Sequence, residues 1–290
     1  MRGRTTVRSL RLFILPLWGR DAQQFFLGVS IPLLVEELEF PVKPTQNVRA
    51  VHEMLETAAQ SDGGGLVLFS FDYGPSAQPE LQPMALSLLR HCFSRGIKVV
   101  AICLMPDAPG LAEQALTTAA GEYDREVGSD YVFMGYKPGF ASVLINMGQD
   151  FKSAFPKDRW GTPTEELPVT RHVDSLKDFD AVIDLAAGAT PEMWIAYGQE
   201  KFKFPLGVGC TAVMAPDLFP FLQSGQMTGL IGGLAGAAEY EALIKTPGTA
   251  TIGMRPQSVT HLVLILFILL GNVMYFLTRR RAAGSTGATA

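Results

Sequence analysis

Short apolar runs separated by helix-forming stretches predict an α/β chain. The expected body is a Rossmann-like three-layer domain with a mainly parallel sheet of about five strands, followed by a C-terminal transmembrane helix. Three observations carry this. The strand-length runs are apolar throughout rather than alternating, as strands covered on both faces are. Helical patterns separate them, which is the arrangement of βαβ units. A single uninterrupted apolar stretch then lies near the C-terminus, just before three arginines.

Taken in order, Pro41 and Pro44 break whatever precedes the body, which is read over 41–250. Thr45 is placed to cap a helix with apolar positions Val48, Val51, Met54, Leu55 and Ala58. Asp62 and the glycines after it end that helix. Strands are expected at 66–71, 97–104, 130–135, 181–186 and 204–210. Helices are expected at 80–94, 111–123, 140–154, 190–201, 217–222 and 227–244, the one at 190–201 opening on Thr190 and Pro191. The polar stretch 155–177 holds Pro156, Pro163 and Pro168 and is long for a connection, so it reads as a flap or an insertion.

The apolar run 262–277, extended to 258–278, is about 21 residues, and at about 1.5 Å per residue it spans a hydrocarbon core of about 30 Å. Its clearly polar interior residue is Asn272. Arg279, Arg280 and Arg281 follow, while Arg255 alone precedes it nearby, so the positive-inside rule puts the short tail 279–290 in the cytoplasm and the body outside. The N-terminal segment, 1–40, starts with Arg2, Arg4, Arg8 and Arg11 and continues into apolar residues, which suits a signal anchor or an interfacial helix. The expected location is therefore a membrane, crossed once or twice, with lipid as one partner.

Composition excludes some classes. The net charge of −4 and the absence of a basic stripe in the body argue against nucleic acid. Cys92, Cys103 and Cys210 form no CxxC pair, so no zinc or redox motif is read and no metal is assigned. GxGxxG after the first strand, GxxxxGK[ST], HExxH and GxSxG are all missing, which lowers the expectation of the usual nucleotide, metalloprotease and hydrolase chemistry. No cofactor is inferred.

In parallel sheets ligands collect beyond the carboxyl ends of the strands, and that rule selects the candidate ligand-binding residues. After the first strand come Asp72, Tyr73 and Ser76, either a polar site or a turn that caps the next helix. Lys137 follows the third strand, as an anion ligand or a solvated loop lysine. Asp184 lies within the fourth strand, where a carboxylate needs a partner or a proton. Thr190 opens the next helix, and Cys210 and Thr211 end the fifth strand. Cys210 as a nucleophile needs a lowered pKa or a nearby histidine, and His52, His91, His172 and His261 are scattered along the chain. The spacing Asp72, Gly74, Ser76 resembles the metal-binding loop of von Willebrand A domains, Asp-x-Ser-x-Ser. Gly74 replaces the middle serine, and the remaining threonine and aspartate ligands have no counterpart.

Gly229, Gly232, Gly233 and Gly236 have small-xxx-small spacing, which fits close helix packing against the sheet, a membrane-protein partner or a second copy. The leading functional expectation is an extracytoplasmic, membrane-tethered binding or assembly module, such as an accessory subunit of a membrane complex. The rival is a membrane-anchored enzyme acting on a small polar substrate through Asp72, Lys137 and Asp184.

Overall fold

The computed structural model describes residues 43–285, with side chains described as far as Phe276 apart from those at 255, 257 and 259. The expectations for 1–40 and for the last residues of the tail lie outside them. The described chain falls into two units, the body up to Thr251 and the helical residues from Ile252 onward.

Helix α1 (Gln46–Ala58) precedes β1 (Leu66–Asp72), and α2 (Gln78–Ser94) leads to β2 (Lys98–Cys103). Then come α3 (Pro109–Glu122), β3 (Tyr131–Tyr136), α4 (Phe140–Gln149) and α5 (Phe151–Ala154). After β4 (Ala181–Ala186), α6 (Thr190–Met193) continues through a π-helical stretch, Trp194–Gln199, into α7 (Glu200–Phe202). β5 (Leu206–Cys210), α8 (Ala215–Gln223), β6 (Gly229–Gly232) and α9 (Gly233–Leu243) complete the sheet and its cover, and α10 (Thr249–Ser285) follows.

All strand pairs are parallel, and the order is β3-β2-β1-β4-β5-β6. The Rossmann-like α/β expectation therefore holds, with one strand more than the five read from the sequence. The strands are buried almost from end to end, which is why they carry no polar alternation. Leu68, Val100, Val132, Val182, Val208 and Leu230 face one core together with Leu144, Phe151 and Trp194. The opposite face holds Phe69, Phe71, Ile183 and Leu185, all buried. There α9 packs on both α1 and α2.

The missed strand is β6. Residues 227–244 were expected to be one helix, but Gly229–Gly232 pair with β5 and the helix begins only at Gly233. Gly233 turns the chain with φ of 61°, a conformation that costs glycine little. A Cβ on Gly229 would come 2.7 Å from the backbone N of Val51, so glycine lets α1 lie directly on the strand. The four glycines thus straddle a strand and a helix and do not share one helical face. The contacts found at Gly229, Gly233 and Gly236 are with Val51, Ala212 and Ile231 of the same body. Thr45 also departs from expectation. Its amide and hydroxyl both donate to Glu239 Oε2, at 2.8 and 2.7 Å, instead of its side chain capping α1.

The polar stretch 155–177 is packed in place. Thr164, Leu167, Val169, Thr170, Val173 and Leu176 are buried. The Arg159 amide donates to Phe133 O on the edge strand, and Ser175 and Asp178 form a reciprocal capping box.

The start of α10 is fixed by one buried side chain. Glu241 is 1% exposed. Its carboxylate accepts from the amides of Gly248 (2.8 Å), Ala250 (3.0 Å) and Thr251 (2.8 Å) and from the Thr251 hydroxyl (2.6 Å). These are first-turn donors with no helical partner of their own. Among the described residues, no helix is long and apolar enough to cross a membrane. The sequence-predicted span, 258–278, runs past the last described side chain. Within α10 most of its described apolar residues are exposed, for example Leu262 at 61%, Phe267 at 53% and Leu270 at 50%.

Replacing Glu241 by alanine leaves these donors inside the protein without an acceptor. Unfolding of Glu241→Ala in urea is expected to show a loss of about 3 kcal/mol or more. Hydrogen exchange at Gly248, Ala250 and Thr251 is expected to quicken first. Unchanged exchange at these three amides would contradict the role given to Glu241.

Candidate functional site

The strand order reverses direction between β1 and β4, the switch point at which parallel sheets open a crevice. Both central carboxylates end there. Ser70 pairs with Asp184 and Asp72 with Ala186 across the β1–β4 ladder. Paired residues on parallel strands face the same way, and so do residues two apart. Ser70, Asp72 and Asp184 therefore share one face at the carboxyl edge, beneath Thr190 and Trp194.

The two acids are treated unequally by their surroundings. Asp72, 1% exposed, accepts from the Ser70 hydroxyl at 2.5 Å and from the Leu104 amide at 2.7 Å. Asp184 is 0% exposed, and neither of its oxygens accepts a hydrogen bond. Three more buried polar atoms nearby lack partners: Thr190 Oγ1, Glu192 Oε2 and Trp194 Nε1. Asp72 and Thr190 approach Asp184, and Asp184 and Trp194 approach Asp72, closely enough for hydrogen bonding to shift both acids, although none of these pairs reaches full hydrogen-bond geometry.

Burial pushes the Asp72 carboxyl up to about 6, against the opposing pull of Ser70, Leu104, Asp184 and Trp194. Asp184 is held well above the ordinary carboxylate range, first by burial and then by the charge and proximity of Asp72. Two carboxyls this close in a dry site cannot both ionise easily, so near neutral pH the pair holds one proton between them.

The remaining sequence candidates separate into those at the pair and those away from it. Thr190 is at the pair. Cys210 shares its face through the Ala186–Cys210 pairing, and burial with the nearby charges of Asp184 and Glu80 pushes its thiol up to about 12. It is therefore a protonated thiol at neutral pH and does not fit the nucleophile reading. Thr211 follows it and is half-buried. Tyr73 is fully buried and donates to Gln82 Oε1 at 2.7 Å, a packing role. Ser76 is exposed in the following turn. Lys137 does not join the carboxylates. It leaves the sheet at edge strand β3, two strands from β1, donates to the Ala154 carbonyl and lies 5.2 Å from the centre of the Phe155 ring.

Sequence reasoning missed two features of this site. Trp194 supplies a buried indole N–H, and Glu192 a further carboxylate; both lie just past the Thr190–Pro191 helix start that the sequence did reveal. It also missed a second polar cluster. His52 and His91, scattered in sequence, stack with ring centres 4.6 Å apart beside Glu56. His172 instead lines a cleft of about 450 Å³ with Ser61, Lys98 and Asp180, at the amino edge of the sheet and opposite the carboxylate pair.

Comparison with protein-family models, curated proteins and solved structures found no match. The site therefore has to be read from its own chemistry.

The shifted pair has a sign-determined effect on stability. A carboxyl raised in the folded state stabilises the fold most below its unfolded value of 3.8, and that contribution is lost as pH rises to about 6. Asp184→Asn removes the like charge while keeping the shape. Relative to the wild type, it is expected to gain on the order of 1–3 kcal/mol above pH 7 and little below pH 4. The check is the difference in Tm between the two proteins across pH. A constant difference would contradict the shared proton.

Proposed function

We propose that this chain is a membrane-tethered binding module that takes a small polar ligand at the carboxyl edge of β1 and β4. One observation carries the reading: unpaired buried polar atoms of Asp184, Thr190 and Trp194 gather at the sheet's switch point. Buried polar atoms ordinarily have partners, and a ligand is one way to supply them. The donor set suits a molecule with an amine or hydroxyl to give to the carboxylates and an acceptor for the Trp194 N–H. Because both acids are closed off, entry requires the loops after β1 and β4 to part. Lys137 has no part in this site, so the ligand needs no anionic group to meet it.

The tether rests on the run from Leu262 onward, whose apolar side chains stand exposed along α10. Exposed apolar surface of this kind calls for lipid or a partner protein. The arginines at 279–281 orient the tail toward the cytoplasm and the body away from it. A membrane-protein partner along this helix would make the chain an accessory subunit.

A second reading has one observation in its favour. A carboxyl near 6 that shares a proton with a neighbour is poised for general acid–base work near neutral pH. Asp72 would then move a proton to or from the same ligand, with Asp184 as its electrostatic partner.

Native mass spectrometry of the full chain in detergent tests the binding reading. A small polar species is expected on the wild type and lost from Asp184→Asn, with Glu122→Gln as a surface control that retains it. Identical spectra for wild type and Asp184→Asn would count against the site. Turnover of the bound species by the wild type would favour the enzyme. For the tether, truncation before Ser258 is expected to reduce membrane retention in fractionation, and unaltered membrane association would locate the anchor elsewhere.

A further inference from the structure

We propose that His52, Glu56 and His91 form a binding site for a divalent transition-metal ion, of which zinc is the natural probe. The site lies on the helical face formed by α1, α2 and α9 and is independent of the carboxylate pair.

The geometry comes from two helices. His52 and Glu56 are four residues apart on α1, so they stand on one side of that helix. His91 reaches them from α2. His91 Nε2 lies 2.9 Å from Glu56 Oε1, and His52 Nε2 lies 3.8 Å from the same oxygen. One ligand atom from each residue falls within 4.8 Å of the others. Tetrahedral zinc with bonds of about 2.0–2.1 Å separates its ligand atoms by about 3.3 Å. The two spacings to Glu56 Oε1 bracket that value and the two imidazole ligand atoms lie within 4.8 Å of each other, so side-chain adjustment brings the three donors around one ion.

The chemistry agrees. Two imidazoles and one carboxylate are the donor set of zinc and its neighbours, not of calcium or magnesium. Burial lowers the pKa of both His52 and His91, so each offers a neutral ring at neutral pH. The His52 and Glu56 side chains are 23% and 28% exposed, which leaves an approach for the ion and for a water in the fourth position.

A supporting partner is also in place. His91 Nδ1 lies 2.7 Å from the buried Tyr240 hydroxyl on α9. Without metal, His91 donates from Nε2 to Glu56 and accepts at Nδ1 from Tyr240. With metal on Nε2, the ring proton moves to Nδ1 and is donated to the Tyr240 oxygen. A hydroxyl serves both arrangements because it donates and accepts, and such a partner orients a metal-bound imidazole.

Arg95 opposes the ion. Its guanidinium donates to Glu56 Oε1 at 2.7 and 2.9 Å. Its side chain is 53% exposed and free to swing into solvent. Arg95 is therefore a competitor for Glu56 that sets how tightly metal binds.

The test is titration of the full detergent-solubilised chain, stripped with chelator, with Zn²⁺ alone by calorimetry. Co²⁺ absorption provides a spectroscopic check of coordination. One ion per chain is expected. His52→Ala, a partly exposed change that the fold tolerates, should weaken binding at least tenfold, and Tyr240→Phe by about 10- to 100-fold. Arg95→Gln should tighten it, while His172→Ala should leave it unchanged. Failure of the wild type to bind Zn²⁺ stoichiometrically would overturn the site. So would equal affinity in His52→Ala, or weaker binding in Arg95→Gln.

Discussion

A parallel sheet covered on both faces leaves no water for any polar group placed inside it, and three of the buried carboxylates of this body, Glu241, Asp72 and Asp184, meet that constraint in three ways. Glu241 is fully matched, with four donors at the start of α10. Asp72 is partly matched, by Ser70 and the Leu104 amide. Asp184 accepts nothing from the chain. The gradient runs from structural to functional. A matched carboxylate holds two segments together, whereas an unmatched one beside another acid stores a proton and an unfilled valence for hydrogen bonding.

The position of the unmatched acid is as informative as its chemistry. The order β3-β2-β1-β4-β5-β6 diverges at β1 and β4, and the connections after those strands leave in opposite directions. Small residues elsewhere keep the layers tight. Gly207 and Gly209 on β5 admit Met54 and Met84 from the covering helices, where a Cβ would come within 2.8 and 2.3 Å of them. The sheet is thus closely packed along its length, and among the described residues five of the six buried side-chain atoms without partners gather at its carboxyl edge, Arg125 Nε being the exception.

Much of the fold was legible because burial of both sheet faces writes an unbroken apolar signal. Residues 181–186 were read with the bounds that β4 has. β6 was illegible because its four residues include two glycines and merge into the glycine-rich start of α9; no local pattern separates strand from helix there. At the site, Asp72 and Thr190 were legible from their places after apolar runs, and Asp184 as a lone carboxylate within one. Trp194 was not, since a tryptophan inside a helical pattern reads as core, and it is core except for its indole nitrogen. Lys137 was misplaced because the rule of carboxyl ends does not distinguish an edge strand from a central one. The pairing of His52 with His91 depends on how α1 packs beside α2, and no spacing in the sequence encodes that.

One proton held between Asp72 and Asp184 defines the site. Aspartate-selective ¹³C labelling, with the carboxyl resonances followed by NMR from acid to alkaline pH, observes it directly. Assignment comes from the Asp72→Asn and Asp184→Asn variants. Two linked steps are predicted, one near pH 6 and the other also displaced well above the ordinary carboxylate range, and in either variant the remaining acid should titrate in a single step. Two carboxyls that both ionise near pH 4, with neither titration altered by loss of the other, would contradict the shared proton.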